Sequence, residues 1–138
     1  MSENRRFPPP WTVHPMPAGF RVADANGAWL AYCYGDTTGY RSTGSVMMLP
    51  DQARAMAEMI ASMPDLMHGV GSAEFPPGTQ GPFFVEDRKT WFSVTDASGI
   101  RLAAVYHSDP EAGDLTPDEA RRIAVGIARL PDWVGRPQ

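Results

Sequence analysis

The feature that most constrains this chain is that it repeats itself. Phe20-Arg21-Val22-Ala23-Asp24-Ala25-Asn26-Gly27 recurs 72 positions on as Phe92-Ser93-Val94-Thr95-Asp96-Ala97-Ser98-Gly99. Leu30-Ala31 matches Leu102-Ala103, and Tyr34 matches Tyr106, at the same offset. Pro50-Asp51-Gln52-Ala53-Arg54 then recurs as Pro117-Asp118-Glu119-Ala120-Arg121, and Pro64-Asp65 as Pro131-Asp132, at an offset of 67. So many ordered matches predict two copies of one unit. The copies run from about 7 to 67 and from about 82 to 134, with a Gly/Pro-rich linker over 68–81. The change of offset puts a longer loop in the first copy, between Gly35 and Leu49.

Each copy reads as a hairpin followed by a helix. Asp24-Ala25-Asn26-Gly27 and Asp96-Ala97-Ser98-Gly99 each separate two alternating apolar runs, the pattern of a tight β-turn. Short extra strands fit near Trp11–Val13, Phe83–Val85 and Ser45–Met48. In the second copy Thr116-Pro117-Asp118-Glu119 is a full helix start: a capping hydroxyl, a proline in the first turn and a glutamate to close the capping box. The first copy has Leu49 at the cap position, which predicts a weaker start. Ala53, Met56, Ala57, Ile60 and Met63 form one helical face, as do Ala120, Ile123, Ala124, Ile127 and Leu130. Pro64 and Pro131 are expected to end the two helices.

A unit of this size has a marginal core on its own. The two copies are therefore expected to pair within a single domain spanning 1–138. The expected fold is α+β: two tandem β-hairpin–helix (ββα) repeats forming a pseudo-two-fold antiparallel sheet of four or more strands, with both helices on one face.

Strand alternation then sorts the side chains. Phe20, Val22, Leu30 and Tyr34 are assigned to the helix side, with Phe92, Val94, Leu102 and Tyr106. The second face receives Arg21, Trp29, Ala31 and Cys33, with Trp91, Ser93, Arg101, Ala103 and Val105. Two tryptophans edged by arginine mark a contact surface, and Arg21, Trp29, Trp91, Arg101 and Val105 are the candidate binding residues. The alternative is that the Pro-rich arm Phe7-Pro8-Pro9-Pro10-Trp11, or the linker around Phe75, folds over this face.

Catalytic and metal chemistry find little support. His107-Ser108-Asp109 brings together the residue types of a triad, but neighbours in one loop do not converge as a triad must. His14, His68 and His107 lie on different loops without metal-ligand spacing. The single cysteine, Cys33, allows no internal disulfide and reads as a small buried strand residue. No phosphate-binding glycine motif occurs, so neither cofactor nor metal is expected. Twelve basic against sixteen acidic residues, net −4, argues against a general nucleic-acid binder. No stretch has the roughly 18 apolar residues of a membrane span. Met1–Pro10 carries two arginines with no apolar run after them, which predicts no secretory leader and a cytoplasmic setting.

Arg6-Phe7-Pro8-Pro9-Pro10-Trp11, Asp24-Ala25-Asn26-Gly27, Asp118-Glu119-Ala120-Arg121-Arg122 and Leu130-Pro131 together resemble a group of short alphaproteobacterial proteins. Those have an Arg-Phe-Pro-Pro-Pro-Trp opening and an Asp-Glu-Ala-Arg-Arg helix, and look like single copies of this unit. Here the first copy keeps the opening and departs in the helix, and the second does the reverse. The group carries no assigned activity, so the resemblance implies architecture alone: a fused form of a unit able to pair as a homodimer.

The expected function is a small non-enzymatic protein- or ligand-binding module, with a further homodimer allowed. The rival readings are a nucleic-acid-associated regulatory protein and a small hydrolase near His107.

Overall fold

The computed structural model describes residues 7–35, 48–67, 75, 79, 81–107 and 115–134. Among these the chain is a mixed α+β protein with one six-stranded antiparallel sheet and four helices. Three strands come first: β1 (Thr12–Met16), β2 (Gly19–Ala23) and β3 (Trp29–Tyr34). Helices α1 (Pro50–Ala61) and α2 (Met63–Met67) follow. Then come β4 (Phe84–Asp87), β5 (Trp91–Thr95) and β6 (Arg101–Tyr106), and finally α3 (Pro117–Ala128) and α4 (Leu130–Val134). The sheet order is β1-β2-β3-β6-β5-β4, so the two halves meet at β3 and β6, where Tyr32 pairs with Ala104.

The predicted turns form, and their chemistry is local. Asp24 Oδ1 accepts from the Asn26 amide at 2.9 Å and the Ala28 amide at 2.9 Å. Asp96 Oδ1 accepts from the Ser98 amide at 2.9 Å and the Ile100 amide at 3.0 Å. Gly27 (φ 88°) and Gly99 (φ 93°) supply the left-handed residue that closes each turn. Both aspartates are therefore occupied by the backbone. The flanking strands at Trp11–Val13 and Phe83–Val85 are present as β1 and β4. Pro15 is tolerated because β1 is an edge strand with only one neighbour. Ser45 to Met47 lie outside the described residues; Met48 makes an isolated bridge to Gly35.

Every residue of the two expected helical stripes is buried. Helix α1 packs on β2 and β3, and α3 on β5 and β6. The prolines act differently from expectation. The long helices close at Ser62 and Arg129, and Pro64 and Pro131 sit in the first turns of the short helices α2 and α4, where a missing amide costs nothing.

The helix starts differ as the sequence suggests. Thr116 Oγ1 accepts from the Glu119 amide at 3.2 Å, and Glu119 Oε1 accepts from the Thr116 amide at 2.9 Å. At the other start only the return bond exists, from the Leu49 amide to Gln52 Oε1 at 2.8 Å. The cap backbones are alike, φ −71° and ψ 158° at Leu49 against φ −71° and ψ 160° at Thr116. Leu49→Thr is therefore expected to stabilise the protein by about 1 kcal/mol, read as a rise of a few degrees in the thermal midpoint. Leu49 is 41% exposed, so little burial is lost.

Candidate functional site

Strand register decides which side chains share a face. One unbroken cross-strand row runs over all six strands: His14, Arg21, Tyr32, Ala104, Ser93 and Glu86. On the same face Ala23 pairs with Trp29, Gly19 with Tyr34, Trp91 with Tyr106 and Thr95 with Arg101. This face carries Trp29, Tyr32, Tyr34, Trp91 and Tyr106, all half-buried.

The expected sorting of side chains is corrected at two places. Val22 pairs with Ala31 and Ala23 with Trp29, which leaves Leu30 as an extra residue in β3. Val94 pairs with Ala103 and Thr95 with Arg101, which leaves Leu102 extra in β6. Each extra residue is a β-bulge, and beyond it the alternation is inverted. Ala31 and Cys33 consequently join Val22 in the buried core, and Tyr34 and Tyr106 move to the tryptophan face. Val105 is the candidate binding residue this displaces: it pairs with Phe92 and lies fully buried in the core. Arg21, Trp29, Trp91 and Arg101 do share one face. The three tyrosines were missed, and no signal short of the bulge would have found them.

The described parts of the proline arm and linker lie elsewhere. Phe7 belongs to the buried core, and Trp11 and Phe75 pack against it. Trp11 Nε1 donates to the Phe7 carbonyl at 2.8 Å, and Phe75 meets Phe83 edge-on at 5.3 Å.

The rings form a connected layer. Tyr32 stacks with Tyr34 at 6.3 Å and meets Tyr106 edge-on at 5.1 Å, and Tyr106 lies 5.7 Å from Trp91. The Tyr34 and Tyr106 hydroxyls share a hydrogen bond of 2.9 Å, joining residues 72 positions apart. Burial pushes the Tyr34 hydroxyl above the usual phenol range, and its bond to Tyr106 adds to the shift.

Arginines overlie the tryptophans. The Arg21 guanidinium sits 3.6 Å from the centre of Trp29, and His14 meets the same ring edge-on. Arg101 lies 4.9 Å and Arg88 5.9 Å from the centre of Trp91. Arg101 Nε donates to Ser93 Oγ at 3.2 Å, and Arg88 pairs with Glu86 at 2.9 Å. Arg21 Nε is buried without a hydrogen-bond partner among the described residues. A guanidinium over an aromatic ring is held by cation–π attraction.

Elsewhere the chemistry is sparse. Cys33 is buried, and burial pushes its thiol well above the ordinary range, away from the nucleophilic thiolate. His107 sits 5.3 Å from Phe92, its Nε2 buried without a partner among the described residues; Ser108 and Asp109 lie outside them, as does His68. Among the described residues no three His, Cys, Asp or Glu side chains gather as metal ligands, and no helix is long and apolar enough to cross a membrane.

What the site can do is stack flat groups and pair with acceptors; at its β1 edge Thr12 Oγ1 and His14 Nε2 share an exposed hydrogen bond of 2.8 Å on the same face. No protein-family model, curated protein or solved structure matches the chain.

Proposed function

We propose that the protein is a non-enzymatic binding module whose ligand or protein partner docks on the aromatic face of the sheet. The observation that carries this reading is the half-buried layer of Trp29, Tyr32, Tyr34, Trp91 and Tyr106 with arginines laid on its tryptophans. Antiparallel sheets commonly leave one face to solvent, and such a face is ordinarily charged and polar. Aromatic residues with arginine are instead the composition of binding hot spots.

The scaffold we propose is a fused pair of ββα units in one domain, about 7–67 and 82–134, with both long helices on one side and the aromatic layer on the other. The matching Asp24 and Asp96 turns support it, as does the Tyr34–Tyr106 bond between equivalent positions. The resemblance to single-unit alphaproteobacterial proteins fits the same history, and the cytoplasm is the setting proposed.

The test uses 8-anilinonaphthalene-1-sulfonate, an anionic aromatic dye, on the natively folded protein. Dye fluorescence should rise and saturate, and Trp29→Ser/Trp91→Ser should weaken dye binding by about tenfold. The double variant should keep its thermal midpoint within a few degrees, because neither ring belongs to the buried core. Unfolding of the variant, or unchanged dye binding, would remove the proposed surface. Native mass spectrometry at low protein concentration separates the competing arrangement, in which a second copy covers the face: a 15.1 kDa species leaves the face free.

A further inference from the structure

Building on the reading of the aromatic face as a binding surface, we infer that its occupant is single-stranded nucleic acid. Bases stack on the half-buried rings, and phosphates pair with Arg21 and Arg101.

The first argument is local charge. The chain as a whole is acidic, at −4. Yet among the described residues arginines stand beside both tryptophans of this face: Arg21 at Trp29, and Arg88 and Arg101 at Trp91. The one acidic residue in the six-strand row is Glu86, and it is paired with Arg88. Charge is felt over about 10 Å at moderate ionic strength, so a ligand on this face meets the arginines rather than the chain average. A second copy packed face to face would bring a second set of the same arginines onto this surface, which disfavours self-association here. The complementary partner is an anion.

The second argument is shape. The centroids of Tyr32, Tyr34, Tyr106 and Trp91 lie 5.1 to 6.3 Å apart on one face of the sheet. Six strands span about 24 Å from first to last, room for roughly four nucleotides. Phe84, 53% exposed, shares this face through the pairing of Thr95 with Phe84 and Arg101. Aromatic rings and arginine planes both accept unpaired bases by stacking, whatever the sequence. A duplex hides its base faces in its own stack and offers these rings nothing. An acidic peptide would satisfy the arginines but leave the tyrosine layer without a role.

The test is a titration of fluorescein-labelled dT12, a 12-base-pair duplex and a poly-glutamate peptide, read by anisotropy and tryptophan emission. The strand should bind with quenching of tryptophan emission, and at least tenfold more tightly than the duplex. With two phosphates neutralised, its affinity should fall roughly sevenfold between 50 and 200 mM salt. In Arg21→Gln/Arg101→Gln, with neither phosphate contact left, the fall with salt should disappear. The salt series on the unaltered protein stands even if the variant folds poorly. Absence of dT12 binding at 50 mM salt, equal binding of the duplex, binding without quenching, or displacement of dT12 by poly-glutamate would each overturn the inference. Dye binding without strand binding keeps the surface and removes the nucleic acid; loss of both removes the surface as well.

Discussion

Gly19→Ala is expected to destabilise the protein by about 3–5 kcal/mol, the sum of a backbone penalty and a clash. Gly19 has φ +155°, a conformation that L side chains rarely adopt. A Cβ there would sit 2.2 Å from the Cys33 carbonyl oxygen and 3.0 Å from the Tyr34 Cα. Both atoms belong to the backbone of β3, which is held on one side by β2 and on the other by β6. The obstacle cannot rotate away as a side chain would. Thermal unfolding should show the midpoint lowered by roughly 10 °C or more, or no cooperative transition at all. Gly27→Ala is the matched control: φ is +88°, but nothing lies within 4 Å of the added carbon. Its cost should be the backbone penalty alone, about 1 kcal/mol. Equal midpoints for the two variants would contradict the close approach of β2 and β3.

The second large effect is expected at the turns. Asp96 is buried, and its Oδ1 accepts from the Ser98 hydroxyl at 2.8 Å as well as from two amides. Asp96→Ala removes the acceptor and leaves those donors without it. Buried donors left unmade cost about 1–3 kcal/mol each, but Ser98 is exposed and water can reach it. The expected loss is therefore about 2–3 kcal/mol, measured by urea unfolding. Asp96→Asn keeps an oxygen in place and should lose about 1 kcal/mol or less. Asp24→Ala should follow slightly below Asp96→Ala, since Asn26 has no hydroxyl donating to the carboxylate where Ser98 does. If the alanine and asparagine variants were equally destabilised, charge rather than acceptor geometry would govern the turn.

These turns show why part of the fold could be read directly from residues. Asp-x-Asn-Gly and Thr-Pro-Asp-Glu act over four residues, so their outcome is set locally. The helical stripes were legible for a similar reason: a 3.6-residue period survives small irregularities. The sheet faces were not. A period of two is inverted by a single extra residue, and the bulges at Leu30 and Leu102 leave no mark in composition or spacing. Residues before the bulge, Arg21 and Trp91 among them, were placed together correctly, and so were Trp29 and Arg101, which pair just short of the extra residue. Beyond it the placement failed, sending Val105 to the surface and Tyr34 and Tyr106 to the core side. The arginine–tryptophan part of the candidate site was thus visible in the sequence, and the tyrosine layer was not.

Where the two halves of the sheet join, Tyr32 stands opposite Ala104. Two identical chains meeting about a symmetry axis would have to put the same residue on both sides of that seam. Tyrosine against tyrosine would crowd it, and alanine against alanine would leave a hollow. A single chain is released from that restriction, because each side of the join is encoded separately. Large can face small, and the surface above the join can become lopsided, with one end presenting different groups from the other. A lopsided surface has a direction, so a strand-like ligand laid across it can be held in one orientation, which a symmetric pair could never enforce.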